Sequence, residues 1–154
     1  MWRLPNRLIR ASDGVAAVEM ALIMPFLILL VIGIIEYGRV IQQTNAVEKG
    51  LASAAMYVAR ATYPLTGAET TAAENLAKYG NKAGTGDYLV SGWAVAGASL
   101  TMVPRSVTVG TNTVYVYTLT ATVPFDPILP GLASLLGFDD FNIEATLEQA
   151  YIGN

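Results

Sequence analysis

The chain has 154 residues, 53% of them hydrophobic and only 14% charged; a soluble domain is usually about 25% charged, so some stretch here needs apolar surroundings. Its net charge of −3 is unevenly spread: Arg3, Arg7 and Arg10 against Asp13 make the first fourteen residues about +2 and leave about −5 for the rest, which argues against nucleic acid, whose binding needs a basic face on the domain itself. With no cysteine and no histidine, disulfide frameworks, thiolate nucleophiles, zinc sites and Ser-His-Asp chemistry are excluded.

In chain order, the first element is an apolar run. Residues 15–35, VAAVEMALIMPFLILLVIGII, hold one charge, Glu19, and as a helix would span about 31 Å, matching the roughly 30 Å bilayer core. A secretory signal peptide is the competing reading, but its apolar region is usually about 7–15 residues and ends at a small-x-small cleavage site. The arginines before the run are uncompensated, whereas Arg39 and Lys49 after it stand beside Glu36 and Glu48. The expected topology is therefore a single pass with a cytoplasmic leader, residues 1–14, and the remainder outside the cytoplasm. Pro25 removes one backbone donor and predicts a bend, which membrane helices tolerate.

Glu19 reads most simply as an interfacial anchor, only about 6–7 Å along the helix from Val15. Its neighbours add a second reading. A cut after Gly14 would leave Glu19 as the fifth residue of a new apolar N-terminus, and the new ammonium group at Val15 of a neighbouring subunit could pair with the buried carboxylate. The runs GVAAVEMALIMPFL at 14–27 and GIIEYGR at 33–39 resemble those of the TadE family, pseudopilins of the tight-adherence (Flp-type) pilus system, over roughly residues 14–60. Gly14, Ala17, Val18, Glu19, Ala21, Leu22, Pro25, Glu36, Gly38 and Arg39 carry the likeness. Met20 stands where an aromatic is usual, a mild change because methionine also packs apolar surface. Type II secretion pseudopilins share the glycine and glutamate but usually have phenylalanine where this chain has Val15, and lack the EYGR element.

The resemblance implies a type IV pilin-like α+β fold, a long N-terminal transmembrane and amphipathic helix packed on a small antiparallel sheet. It also implies a prepilin-peptidase site at Gly14, Val15 and Glu19, and helix packing through Glu19, Pro25, Glu36, Gly38 and Arg39. The partners it implies are a TadF-like protein, the major Flp pilin, the prepilin peptidase and the inner-membrane assembly platform. A TadF-like identity is the near alternative, the chain being too long for a major pilin and too short for members with an added domain. As a solvated pair Glu36 and Arg39 would contribute only a few tenths of a kcal/mol.

Beyond the membrane, Val40, Thr44, Val47, Leu51, Ala54 and Val58 recur at steps of four and three, so the helix continues, amphipathic, over 36–62. That stripe can pack on its own domain, on a partner helix, or on both. Tyr63-Pro64 ends it, and residues 63–154 form the extracytoplasmic part. A second helix is expected over 68–79, stopped by Gly80. The glycines in GNKAGTGD at 80–87 lack the phosphate-loop pattern and read as a turn. Ser106–Val109 and Val114–Val123 around Gly110–Thr113 predict a hairpin, with Tyr115 and Tyr117 as sheet packing rather than a ligand site. The apolar cluster Ile128, Leu129, Leu132, Leu135 and Leu136 fits a lid on the core or an exposed patch equally. Phe141, Ile143, Ala145 and Leu147 alternate with polar residues and predict a last strand, wet on one face. The acids Asp126, Asp139, Asp140 and Glu144 are the only cluster that could support acid/base or metal chemistry, and they read as a solvated turn.

The expected function is a minor pilin assembled through helix 15–60 in the bacterial inner membrane, with no catalytic, metal or cofactor site. The rival is a single-pass membrane scaffold or ligand-binding protein that enters no filament.

Overall fold

The computed structural model describes residues 12–137 and 141–153, and the chain divides into two compact units, Met1–Gly38 and Arg39–Asn154. Helix α1 runs Ser12–Val58 and supplies every described residue of the first unit. It passes through Pro25 without a break. The predicted leader lies outside the described residues as far as residue 11. The predicted extension ends early: after Val58 the chain tightens, Arg60 N–H bonding Tyr57 O at 3.1 Å and Ala61 N–H bonding Val58 O at 3.3 Å. Such three-residue bonds close a helix that can no longer propagate toward Pro64.

Helix α2, Gly67–Tyr79, is capped at both ends by residues the sequence supplies. Thr66 and Glu69 form a capping box, and Gly80, in the left-handed region at φ 73°, returns its N–H to Leu76 O. Gly50 sits where α1 and α2 touch: a Cβ there would run into the carbonyl oxygen of Ala77 and reach Leu89 Cδ1 at 3.0 Å. The 80–87 turn is held by amides, Asn81 Nδ2 donating to Thr85 O at 2.8 Å and Asn75 Nδ2 to Lys82 O at 3.0 Å.

A short 3-10 helix, Ser91–Ala94, which the sequence did not announce, carries the buried Trp93. Gly92 permits it, since any Cβ would meet Pro124 O. Three antiparallel strands follow, β1 (Ser99–Val109), β2 (Asn112–Pro124) and β3 (Asn142–Ala150), in the order β1-β2-β3. The predicted four-residue turn is a two-residue one, Gly110-Thr111, because Val109 pairs with Asn112; the first arm also begins seven residues before Ser106. Between them lies Pro104, a residue that reads as a strand breaker but is tolerated at a sheet edge.

The core of the second unit lies between the sheet and the distal part of α1. Val47, Leu51, Ala54, Ala55 and Val58 meet Tyr117, Leu119, Ala121, Val123, Ile143 and Ala145, with Ala73 and Ala77 of α2 closing one side. This is the predicted α+β arrangement of a long helix with a small antiparallel sheet. Tyr117 is 2% exposed and its hydroxyl accepts the Leu65 N–H at 3.1 Å. Tyr63 stacks on Tyr115 with ring centroids 4.0 Å apart and meets Tyr117 edge-on at 5.8 Å, so both sheet tyrosines are packing residues. Helix α3, Pro130–Leu136, buries Ala133 while Ile128 and Leu129 before it are exposed. The side chains of Leu132, Leu135 and Leu136 lie outside the described set.

Candidate functional site: the N-terminal helix

The apolar part of α1 has no self-made cover. Val18, Met20, Ile23, Phe26, Ile28 and Val31 are all more than half exposed, and at about 100° per residue they point to every side of the helix. The most apolar window of this helix has a mean hydropathy of 2.7, and none of that window is buried within the molecule. An amphipathic surface helix shows an apolar stripe; one that is apolar all round requires a bilayer or other chains around it. The helix is long and apolar enough to cross a membrane.

Each predicted site residue can be placed. Gly14 and Val15 lie within α1, so the bond between them is helical. Glu19 lies one turn further on, exposed among apolar side chains, and it remains the single charge of residues 15–35. An added Cβ at Gly33 or Gly38 would meet nothing within 4 Å, so neither glycine is required by crowding within the chain. Glu36 is only 4% exposed. In the second unit the Arg39 guanidinium lies 5.7 Å from the centre of the Phe125 ring, a cation–π distance. Pro25, Glu36 and Gly38 fall in the first unit and Arg39 opens the second.

Gln43, which is not part of the predicted apolar stripe, is 8% exposed, and its Oε1 has no hydrogen-bond partner among the described residues. Position 43 is one turn before Val47, and that spacing was the available signal. Of the four acids considered for chemistry, Asp139 and Asp140 lie outside the described residues.

Electrostatically the best-defined site is the start of α2. Glu69 accepts from the Thr62 hydroxyl at 2.5 Å and from the Thr62 and Thr66 backbone N–H groups, each at 2.9 Å. The Thr62 hydroxyl is the largest influence, the Thr66 and Thr62 amides follow, and together they hold the Glu69 carboxyl at about 2, below its ordinary 4.5. This cap ties the chain leaving α1 to the helix that packs on it.

An uncovered apolar helix at the N-terminus, followed by a small α+β unit, defines the class: a single-pass membrane protein fits this architecture. Within it, residues 14–56 match the family model of TadE-like proteins. The match begins at Gly14, includes Glu19 and the EYGR element, and stops inside α1, leaving α2 and the sheet beyond it. No curated protein and no solved structure matches the chain.

Proposed function

We propose that this protein is a minor pilin of a tight-adherence pilus system, processed after Gly14 and packed into an assembly through α1. The observation that carries the reading is the coincidence of two features in one stretch. Residues 15–35 are apolar on all sides with no cover in the molecule, and the same stretch lies within the TadE-like match at 14–56.

The physical logic is one of substitution. A helix leaving lipid for an aqueous surface would expose its apolar side chains at roughly 25 cal/mol per Å2, so it leaves only if neighbouring helices cover it as lipid did. Glu19 then sits in an environment without water, where a lone carboxylate is strongly unfavourable. The ammonium group at Val15 of an adjacent subunit supplies the counter-charge and fixes the axial register. Catalysis plays no part; the chain works by packing, with a TadF-like protein, the major pilin and the inner-membrane platform as partners.

Mass spectrometry of the protein from cells with an active prepilin peptidase tests the processing step: the mature chain begins at Val15. Recovery of the intact leader would overturn it. Cysteine cross-linking along residues 15–35 tests the packing, and absence of any helix-to-helix adduct in assembled pili would favour a membrane scaffold that enters no filament.

A further inference from the structure

The sheet has two free edges, and they are built differently. Phe125 N–H bonds Phe141 O at 2.8 Å, and Tyr151 N–H bonds Tyr115 O at 2.8 Å. Antiparallel pairs alternate between hydrogen-bonded and non-bonded, so the odd-numbered residues of β3 turn their backbone groups to β2 and the even-numbered ones turn theirs outward. Ile152 confirms the parity: its N–H points away from β2 and bonds Ala59 O at 3.0 Å, closing the edge at that end. Along the rest, the outward backbone groups of Glu144, Thr146 and Glu148 have no partner among the described residues.

The same alternation carried across β2 turns the even-numbered residues of β1 outward, Pro104 among them, since Pro104 pairs with Tyr117. A proline at an outward position removes the donor on which a further strand would build. The β1 edge is thus blocked at its centre, whereas β3 contains no proline. Beside the open edge runs a groove of about 500 Å3 between β3 and α1, with Leu51, Ala52, Ala145 and Leu147 as its apolar wall and Glu48, Lys49 and Glu144 at its rim.

We propose that this edge and groove form a strand-docking site for an extended segment of a different protein chain, small and apolar on the face toward α1 and basic on the other. Backbone groups of Glu144, Thr146 and Glu148 supply the ladder, and Ala52 and Ala145 leave room for small side chains. Two rim carboxylates against one ammonium favour a cationic segment. A second copy is a poor occupant: its β1 edge carries Pro104, and its β3 laid antiparallel about Thr146 would put Glu144 opposite Glu148, like charge against like. The inference does not depend on the filament reading, since a membrane scaffold could use the same edge.

The test uses the full chain in zwitterionic nanodiscs, a peptide of alternating lysine with alanine or valine, and the same peptide with glutamate for lysine. The lysine peptide should slow amide hydrogen exchange at Glu144, Thr146 and Glu148 by about tenfold or more, leaving Ile143 and Ala145, already bonded to β2, little changed. Thr146→Pro, which removes an outward donor as Pro104 does in β1, should abolish that protection. Glu144→Lys, an exposed change that leaves the backbone intact, should weaken the lysine peptide at least about tenfold and favour the glutamate peptide. Equal binding of both peptides, or protection that survives both substitutions, overturns the proposal. So does protection of the same amides by raising the concentration of the chain alone, which would make a second copy the occupant.

Discussion

Replacing Gly50 with alanine puts two effects of opposite sign on one position. In an open helix the change would stabilise by up to about 1 kcal/mol, because glycine loses more backbone freedom than alanine. Here the new Cβ points at the carbonyl oxygen of Ala77, backbone rather than a flexible side chain, and also lies 3.0 Å from Leu89 Cδ1. Relief requires α2 to shift outward by about an ångström, loosening the buried Ala73 and Ala77 from α1. Overpacking of this kind costs about 1–3 kcal/mol, and a rigid obstacle places it at the upper end. Net of the propensity gain, Gly50→Ala should destabilise the second unit by about 2 kcal/mol, lowering its melting temperature by roughly 6–10 °C. Near-UV circular dichroism of the full chain in nanodiscs, followed through the melt, reports the tyrosine and tryptophan packing of that unit. Gly131→Ala in α3, where a Cβ meets nothing within 4 Å, is the control and should be neutral or slightly stabilising. A rise in melting temperature for Gly50→Ala would refute the close approach of α1 and α2.

Tyr117→Phe removes the acceptor of the Leu65 N–H and should cost about 1–2 kcal/mol, read as a reduced denaturation midpoint. Burial raises the Tyr117 phenol above its ordinary value of 10, so the unfolded chain ionises first and stability should fall as pH rises above that value, a trend Tyr117→Phe should reduce. Glu69 has the opposite sign. Its carboxyl is held at about 2 instead of 4.5, so its contribution is complete above 4.5 and is lost as pH falls from there toward 2; Glu69→Gln should flatten that limb of the stability profile. Glu19→Ala should insert in the membrane normally and still melt like the parent, yet give few or no pili by electron microscopy; undiminished pili would remove the register role.

The elements that were legible in the sequence share a property: their residues answer to one environment each. Residues 15–35 are uniformly apolar, the alternation from Ile143 to Leu147 divides a wet face from a buried one, and Gly80 is local punctuation whose partner, Leu76 O, lies within the helix it ends. What was not legible depends on partners distant in sequence. Gly92 is needed only because Pro124 O passes over it, and Gln43 reads as surface until it is found buried. Pro104 lies inside β1, which is possible only because β1 is an edge strand.

Two different demands therefore meet in α1. Between Val47 and Val58 its buried face answers to the sheet, and there Gly50, Ala54 and Ala55 keep the helix slim enough for close packing. Between Val15 and Ile35 nothing in the molecule selects one face over another, so the choice of large apolar side chains on every side reflects lipid or neighbouring helices. Those two demands can be separated by measurement. Val47→Asp should unfold the second unit while leaving membrane insertion intact, since an uncompensated carboxylate at a fully buried position is strongly unfavourable. Ile23→Asp, at a position exposed in the molecule, should leave the melting of the second unit unchanged and impair insertion or assembly. If Ile23→Asp instead unfolded that unit, residues 15–35 would have to belong to its core, and the membrane reading of the segment would fail.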